Sequence, residues 1–173
     1  KQIEGYMGQE KEYTGTFVLG STTESFDLEK PIIPVADPSS ITLEQVQEAV
    51  VKLTGTILQI PPMHSAIKVD GKRVYASARL GIEVQMNPRQ VEVREFEICR
   101  FENGEVDFRI SCSKGTYIRS LARDLGVSLG VGAYLKALCR TRIGTYSLKD
   151  AKEVADLVEE IKSRPNENLS PTR

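Results

Sequence analysis

Arg119 and Tyr117 lie close together in the sequence GTYIRS, at the start of an amphipathic run. A guanidinium at such a place can bind a carboxylate or a phosphate through two parallel hydrogen bonds. From spacing alone, a solvated helix charge is the commoner role for such an arginine. Between Arg100 and Arg142, however, the chain holds eight basic and four acidic residues, whereas the net charge of the whole chain is −1. We therefore expect a polyanion to bind at this segment.

Four other side chains could take part in chemistry, but each also has a simpler structural role. Tyr13 lies in the middle of a run rich in β-branched and aromatic residues, where core packing is the usual role. The apolar periodicity around Leu138 predicts a core leucine. Arg123, one turn after Arg119, is expected on an exposed or RNA-facing side, and His64 at a surface or an interface.

Several classes of function find no support in the sequence. It contains no P-loop, no dinucleotide-binding glycine motif, no serine elbow and no metal-ligand cluster. The cysteines Cys99, Cys112 and Cys139 are odd in number and form no C-x-x-C pair, which favours a reduced intracellular protein with buried thiols. No apolar run approaches the roughly 20 residues that span a membrane. We therefore expect a cytoplasmic protein with no metal, no organic cofactor and no membrane partner.

The order of the predicted elements indicates an α+β fold. The segments 11–19, 55–60, 90–101, 106–113 and 144–148 are predicted strands, whereas 38–53, 118–129 and 151–162 are predicted helices. Thr42 and Gln45 form a capping-box pattern, and Asn103-Gly104 predicts a hairpin turn. A short strand, an Asp70-Gly71 turn and a short helix are expected within 63–81, and an amphipathic run spans 133–138.

Four blocks of this chain together resemble a TruB-type tRNA pseudouridine synthase. They are KEY in the first strand, PPMHSAIKVDGKRVYASARLG, SKGTYIRSLARDLG and LGVGAYLKALCRTRIG, and the resemblance runs from about residue 1 to residue 150. It implies a mixed, largely antiparallel sheet flanked by helices, with a thumb-like insertion. It also implies a monomeric enzyme that isomerises the T-loop uridine 55 of tRNA to pseudouridine, binding the T-stem-loop without metal or cofactor.

The resemblance assigns roles to individual residues. Tyr13 matches the tyrosine that stacks on the target base and is a candidate for a later proton transfer, and Arg119 matches the arginine that pairs with the catalytic aspartate. Tyr117 and Leu138 match residues of the uracil pocket. The segment 61–88 resembles the insertion that grips the T-loop. The basic or RNA-facing residues expected to contact RNA are His64, Lys68, Lys72, Arg73, Arg79, Lys114, Arg123 and Arg140.

One block of the family pattern is missing from these residues. The nucleophilic aspartate of the family lies in a sequence like G-x-L-D-P-x-A-x-G upstream of the KEY-type strand, and the chain opens instead with KQIEGYM, which predicts a helix already under way. The Asp37-Pro38 pair does not replace this block, because it lies downstream of Tyr13 and is typical of a turn. We therefore expect an N-terminally truncated catalytic core over 1–150 that is inactive alone.

The remaining residues, 151–173, are expected to form a C-terminal helix and a disordered tail, with no RNA-binding PUA domain. The competing interpretation is a non-catalytic RNA-binding module on the same scaffold. A metabolic enzyme with a small substrate is a distant third, because the sequence holds no cofactor or metal motif.

Overall fold

The structure is a computed structural model that describes residues 3–63 and 86–163, together with the backbone of 68–69 and 72–73. Its helices are α1 (Ile3–Met7), α2 (Leu43–Lys52), α3 (Ile118–Leu129) and α4 (Val154–Ser163), with a short 3-10 helix at Leu148–Asp150. Its strands are β1 (Lys11–Leu19), β2 (Ser21–Thr22), β3 (Ile33–Pro34), β4 (Gly55–Gln59), β5 (Lys68–Val69), β6 (Lys72–Arg73), β7 (Arg89–Glu102), β8 (Glu105–Cys112), β9 (Ala133–Ile143) and β10 (Tyr146–Ser147).

Six of these strands form one sheet in the order β10-β9-β1-β8-β7-β4, and every pairing in it is antiparallel. Two small two-stranded sheets, β2-β3 and β5-β6, stand apart from it. Helices α2 and α3 contribute buried residues to the same core as the sheet. The α+β class with a largely antiparallel sheet is therefore confirmed.

The core lies on one face of this sheet because alternate residues of each strand point to the same side. Phe17 of β1 stacks on Phe108 of β8 with ring centroids 4.2 Å apart, and Leu121 and Leu125 of α3 are fully buried in the same cluster. Gly15, two residues before Phe17, leaves no room for a side chain, since an added Cβ would lie 2.8 Å from the Phe108 ring. Helix α3 is thus packed against the face of β1 that also carries Tyr13.

The opposite face of the sheet carries cross-strand ion pairs. Arg109 of β8 contacts Glu12 of β1 at 3.2 Å and Glu95 and Glu97 of β7 at 2.8 Å each. Arg142 of β9 bonds Glu10 at 2.7 Å, and this hydrogen bond is the main reason that the pKa of Glu10 falls below its usual value. Acidic and basic side chains therefore neutralise one another across this face, which we call the ion-paired face.

Local sequence signals predicted several elements correctly. Asn103 and Gly104 join β7 to β8 with φ angles of 51° and 76°, the positive pair that an Asn-Gly hairpin turn requires. The capping box is also confirmed, because the Thr42 hydroxyl accepts from the Gln45 N–H at 3.3 Å and the Gln45 side chain accepts from the Thr42 N–H at 2.9 Å. The turn predicted at Asp37 is present as well, with its carboxylate accepting from the Ser39 N–H.

Other boundaries differ from the expectation. The helix predicted over 38–53 begins only at Leu43, since residues 38–41 form a turn ahead of the cap. The amphipathic run 133–138 is the first half of the long strand β9. The last predicted strand, 144–148, shortens to β10. Residues 164–173, the expected disordered tail, lie outside the described residues.

The expected burial of all three thiols is wrong for two of them. All three are free, and Cys112 is buried, but Cys99 and Cys139 are exposed. Cys139 pairs with Thr14 on the ion-paired face, and Cys99 lies at an irregularity in the pairing of β7 with β8. The position of each cysteine in its strand therefore decides its exposure here, against the general tendency of cysteine to be buried.

Among the described residues, no helix is both long enough and apolar enough to cross a membrane.

Gly126 marks the closest approach between α3 and the turn into β9. A Cβ at this position would lie 2.8 Å from the Gly132 Cα and closer still to the Ala133 backbone nitrogen. We expect Gly126→Ala to lower the free energy of unfolding by about 3 kcal/mol, because forced overpacking outweighs the roughly 1 kcal/mol by which alanine favours a helix. Urea denaturation of the 173-residue chain measures the change.

The matched control is Gly5→Ala in α1, where an added Cβ meets no atom within 4 Å. Its free energy of unfolding should stay within about 1 kcal/mol of the native value. Equal destabilisation by both substitutions would contradict the assigned contact.

Candidate active site

Arg119 is held in place by a carboxylate on a distant segment. It is the second residue of α3, and its Nη1 donates to the Asp27 carboxylate at 3.0 Å and to the Ser25 carbonyl at 3.3 Å. The side chains of Arg119 and Asp27 are only 20% and 24% exposed. A half-buried ion pair of this kind is screened less by solvent than one at the surface. The guanidinium is therefore oriented before any ligand arrives.

The loop that carries Asp27 is itself fixed by hydrogen bonds. The Ser25 hydroxyl donates to the Asp27 carboxylate at 2.6 Å, and the Thr23 hydroxyl donates to its carbonyl at 2.7 Å. A parallel bridge joins Asp27 to Leu135 of β9, where the Leu135 N–H donates to the Phe26 carbonyl at 2.9 Å. Asp27 was not among the predicted site residues, because the segment 21–37 is polar and contains two prolines, a composition that predicts turns. The Ser-x-Asp pattern at Ser25 was the available signal, since side chains of this kind bond their own loop backbone.

An open cavity of about 270 Å³ lies beside this ion pair. It is lined by Asp27, Leu28, Arg119, Leu135, Lys136, Ala137 and Leu138. Leu138 is 47% exposed, so the expectation of a core leucine is wrong. Its apolar side chain instead forms part of the cavity wall. The cavity thus combines one apolar wall with an oriented guanidinium, an arrangement typical of a small-molecule or base pocket.

Tyr13 reaches the same side of the sheet. Tyr13 pairs with Arg140 across β1 and β9, and Gly15 pairs with Leu138, so these side chains lie on one face. Tyr13 also packs against the core cluster that contains Ile118 at the start of α3. Burial raises the pKa of the Tyr13 phenol above its usual value, although a hydrogen bond from Arg140 acts in the opposite direction. The phenol is therefore neutral at physiological pH and can donate a proton.

Arg123 was expected on an exposed or RNA-facing side, and its side chain is half-buried rather than exposed. It bonds Asp124 through Nε at 2.8 Å and stands over the Phe26 ring at 5.5 Å. Burial raises the pKa of Asp124, and the neighbouring Arg123 opposes this shift. A guanidinium used in this way supports packing between α3 and the Asp27 loop rather than offering an open phosphate contact.

Of the other predicted site residues, three lie in the part of the chain that the structure describes and five have side chains outside it. Tyr117 is the N-cap of α3 with a partly buried side chain, while Lys114 and Arg140 are exposed. Five predicted RNA contacts have side chains outside the described residues, namely His64, Lys68, Lys72, Arg73 and Arg79. Of the segment 61–88, strands β5 and β6 pair antiparallel, in agreement with the short strand predicted there, whereas the predicted Asp70-Gly71 turn and short helix lie outside the described residues.

Within the described ranges, no group of three or more His, Cys, Asp or Glu side chains is placed to hold a metal ion. The charged residues that line the cavity are Asp27, Arg119 and Lys136. The Tyr13 phenol lies on the same face of the sheet but outside the cavity lining.

Comparison with known proteins gives this site a family. Residues 1–118 match the N-terminal domain of TruB family pseudouridylate synthases, and residues 119–171 match the C-terminal domain of tRNA pseudouridylate synthase B. The tRNA pseudouridine synthase B of Flavobacterium johnsoniae is 46% identical over 154 residues, which are 89% of this chain and 67% of that protein. The protein of the same name from Phocaeicola vulgatus is 46% identical over 159 residues, covering 92% and 68%.

A solved structure described as a Cbf5-Nop10-Gar1 complex contains a chain with the same fold. It superimposes with a TM-score of 0.66 at 25% identity, over 91% of this chain and 37% of that chain. Fold, site and sequence thus point to one class of RNA-modifying isomerases. The chain belongs to the TruB family of pseudouridylate synthases, and the resemblance to a TruB-type tRNA pseudouridine synthase is confirmed.

Proposed function

We propose that this chain forms the base-binding part of an enzyme that isomerises uridine 55 in the T-loop of tRNA to pseudouridine. The observation that carries the proposal is the half-buried Arg119–Asp27 ion pair beside a cavity whose wall includes Leu138. The cavity holds an everted pyrimidine between Leu138 and the oriented guanidinium. The carboxyl nucleophile comes from a G-x-L-D-P-type block outside these 173 residues.

The reaction begins with extrusion of the uridine, because its glycosidic bond is inaccessible inside a folded T-loop. Unstacking the base costs roughly a few kcal/mol, and stacking on an aromatic ring such as Tyr13 contributes about 1–3 kcal/mol in return. The nucleophilic carboxylate then attacks, and the base detaches, rotates and rejoins the ribose through C5. The proton on C5 then leaves by relay through the Tyr13 hydroxyl, whose oxygen accepts it while the phenolic O–H proton passes to water, and water supplies the proton that N1 of the base gains. Tyr13 and its partner Arg140 are paired across β1 and β9, and the phenol is neutral because burial raises its pKa.

Arg119 acts on the nucleophilic carboxylate in two ways, by its positive charge and by fixing the orientation of the carboxylate. A neighbouring cation favours the ionised form of a carboxylate, which is the form that attacks. Asp27 fixes the guanidinium beside the cavity, so the charge needs little reorganisation during the reaction. Asp27 thus orients Arg119, and Arg119 in turn orients the nucleophilic carboxylate.

Binding of the T-stem-loop uses basic side chains around this cavity. Lys114 and Arg140 are exposed and contact phosphates, with Tyr117 on the side of the pocket. The segment 61–88 grips the loop as a thumb, and residues 1–150 form the catalytic core, which residues 151–173 follow. The enzyme acts as a cytoplasmic monomer and uses no metal or organic cofactor.

The proposal is tested with the complete gene product and an unmodified T-stem-loop RNA that carries tritium at C5 of uridine 55. Pseudouridine formation exchanges this hydrogen, so released tritium measures turnover. We expect release from this RNA and none from a stem-loop in which the label is on a uridine of the stem. Binding without release would favour the RNA-binding module, and absence of both would contradict the family function for this chain.

Tyr13 is expected to act through both its ring and its hydroxyl. Tyr13→Phe, which keeps the ring, should lower kcat by about 100-fold with KM little changed, because the hydroxyl takes part in proton transfer. Tyr13→Leu, which also loses the stacking of about 1–3 kcal/mol, should lower kcat/KM by about 1,000-fold. Steady-state kinetics on the T-stem-loop separate the two effects.

Tyr134→Phe on β9 is the control, because Tyr134 is buried on a strand that flanks the cavity but is absent from its lining. Native kinetics in Tyr13→Phe would remove the phenol from the proton transfer and leave it a stacking role only.

A further inference from the structure

Gln59 is a buried polar side chain that the proposed chemistry does not use. It ends β4 and is 1% exposed, yet both ends of its amide are bonded to the backbone of Tyr117. Its Oε1 accepts from the Tyr117 N–H at 2.8 Å, and its Nε2 donates to the Tyr117 carbonyl at 3.2 Å. Buried amides bonded in this two-point manner fix the distance and rotation between two segments.

A second buried contact joins the same two segments. The Ser120 hydroxyl, which is fully buried, donates to the Ile60 carbonyl at 2.9 Å. Pro61 and Pro62 follow at once and are themselves buried, so the end of β4 is a rigid anchor. The first turn of α3 is therefore bonded to the end of β4 on both sides of Arg119.

The start of α3 needs such support from another segment. Tyr117 is its N-cap but supplies no side-chain cap, and a helix start leaves several N–H groups without helical partners. Gln59 satisfies the first of these groups from outside the helix. Since Arg119 lies two residues beyond Tyr117, its Cα takes its position from the turn that Gln59 and Ser120 hold.

We propose that Gln59 and Ser120 are positioning residues that set the placement of Arg119 against the reacting carboxylate. The proposal rests on the function proposed above. An error of about 1 Å in such a group can lower turnover by roughly 100-fold.

The test compares Gln59→Met, which keeps length and volume but removes both hydrogen bonds, with Ser120→Ala in the complete gene product. We expect kcat on the T-stem-loop to fall by about 100-fold and about 10-fold respectively, with the Kd for RNA within about 3-fold of native. Should Gln59→Met fail to fold, Ser120→Ala is judged by the same criteria.

Thr54→Val is the matched control. Thr54 donates to the Val50 carbonyl at 2.8 Å and so supports the end of α2 just before β4 begins. Its loss should lower the melting temperature but leave kcat native. An unchanged kcat in Gln59→Met and Ser120→Ala, or an equal loss of kcat and RNA affinity, would overturn the proposal.

A second measurement does not depend on turnover. The Nε–Hε NMR signal of Arg119 in the 173-residue chain should shift in Gln59→Met and Ser120→Ala, and should stay in place in Thr54→Val. If the native protein forms no pseudouridine, the proposed function fails, while this signal still decides whether Gln59 and Ser120 place Arg119. An unmoved signal in both variants counts against the proposal.

Discussion

A polypeptide of these 173 residues is expected to form no pseudouridine, while the same residues preceded by the G-x-L-D-P-x-A-x-G block of a family member regain activity. The physical reason is that the carboxylate lining the described cavity, Asp27, is held by Arg119 and by the Ser25 hydroxyl. Both oxygens of Asp27 accept hydrogen bonds, Oδ1 from the Ser25 hydroxyl and the Glu29 N–H and Oδ2 from Arg119, so this carboxylate is fixed in its own loop and is not free to attack. Tritium release from a labelled T-stem-loop, followed over many hours at high protein concentration, gives the rate.

The opposite result would be informative as well. Product from the 173 residues alone would mean that a group within them attacks the uridine, and Asp27→Asn would then abolish it. If the block-bearing protein also forms no product although it binds the stem-loop, the chain is better described as an RNA-binding module.

Replacing Arg119 by glutamine is expected to lower kcat by about 1,000-fold, since one oriented donor at a reacting centre contributes 100- to 1,000-fold and its charge contributes further. The affinity for the T-stem-loop should change by no more than about 5-fold, because the guanidinium is engaged with Asp27 rather than with the RNA backbone. Single-turnover kinetics and filter binding on the complete gene product measure the two quantities.

Arg123→Gln provides the control from the same helix. Arg123 is equally buried but bonds Asp124 and stands over Phe26, so its loss should affect stability more than turnover. Asp27→Asn should reproduce most of the Arg119 effect, at about 100-fold, because it releases the guanidinium without removing it. Equal losses of turnover and affinity in Arg119→Gln would contradict a role in orienting the nucleophile.

Local interactions made much of the fold predictable. The Thr42 capping box and the Asn103-Gly104 turn depend on residues within three positions of one another, and both are found as predicted. Strand β9 was harder to predict because its first half, 133–138, is an amphipathic run and its second half carries Arg140 and Arg142. Its identity depends on pairing with β1, about 125 residues earlier in the chain, which short-range patterns do not encode.

The site was predictable to the extent that a motif carries it. The resemblance identified Arg119, Tyr13 and Leu138, and the structure places all three on one side of the sheet. It did not identify Asp27, since that residue becomes relevant only through a contact with Arg119 across 92 positions. Gln59 went unnoticed for the same reason, because its partner Tyr117 is 58 positions away.

The ion-paired face has a consequence for how the substrate can approach. Arg109 and Arg142 are saturated by glutamates there, so a phosphate backbone would have to displace an existing carboxylate to gain a cation. Replacing a carboxylate by a phosphate at the same arginine gains little net attraction, and the displaced glutamate would then repel the phosphate. The ion-paired face is therefore expected to bind RNA only weakly. A tRNA that meets this face should dissociate or move along the surface to the face where Tyr13 and Arg119 lie.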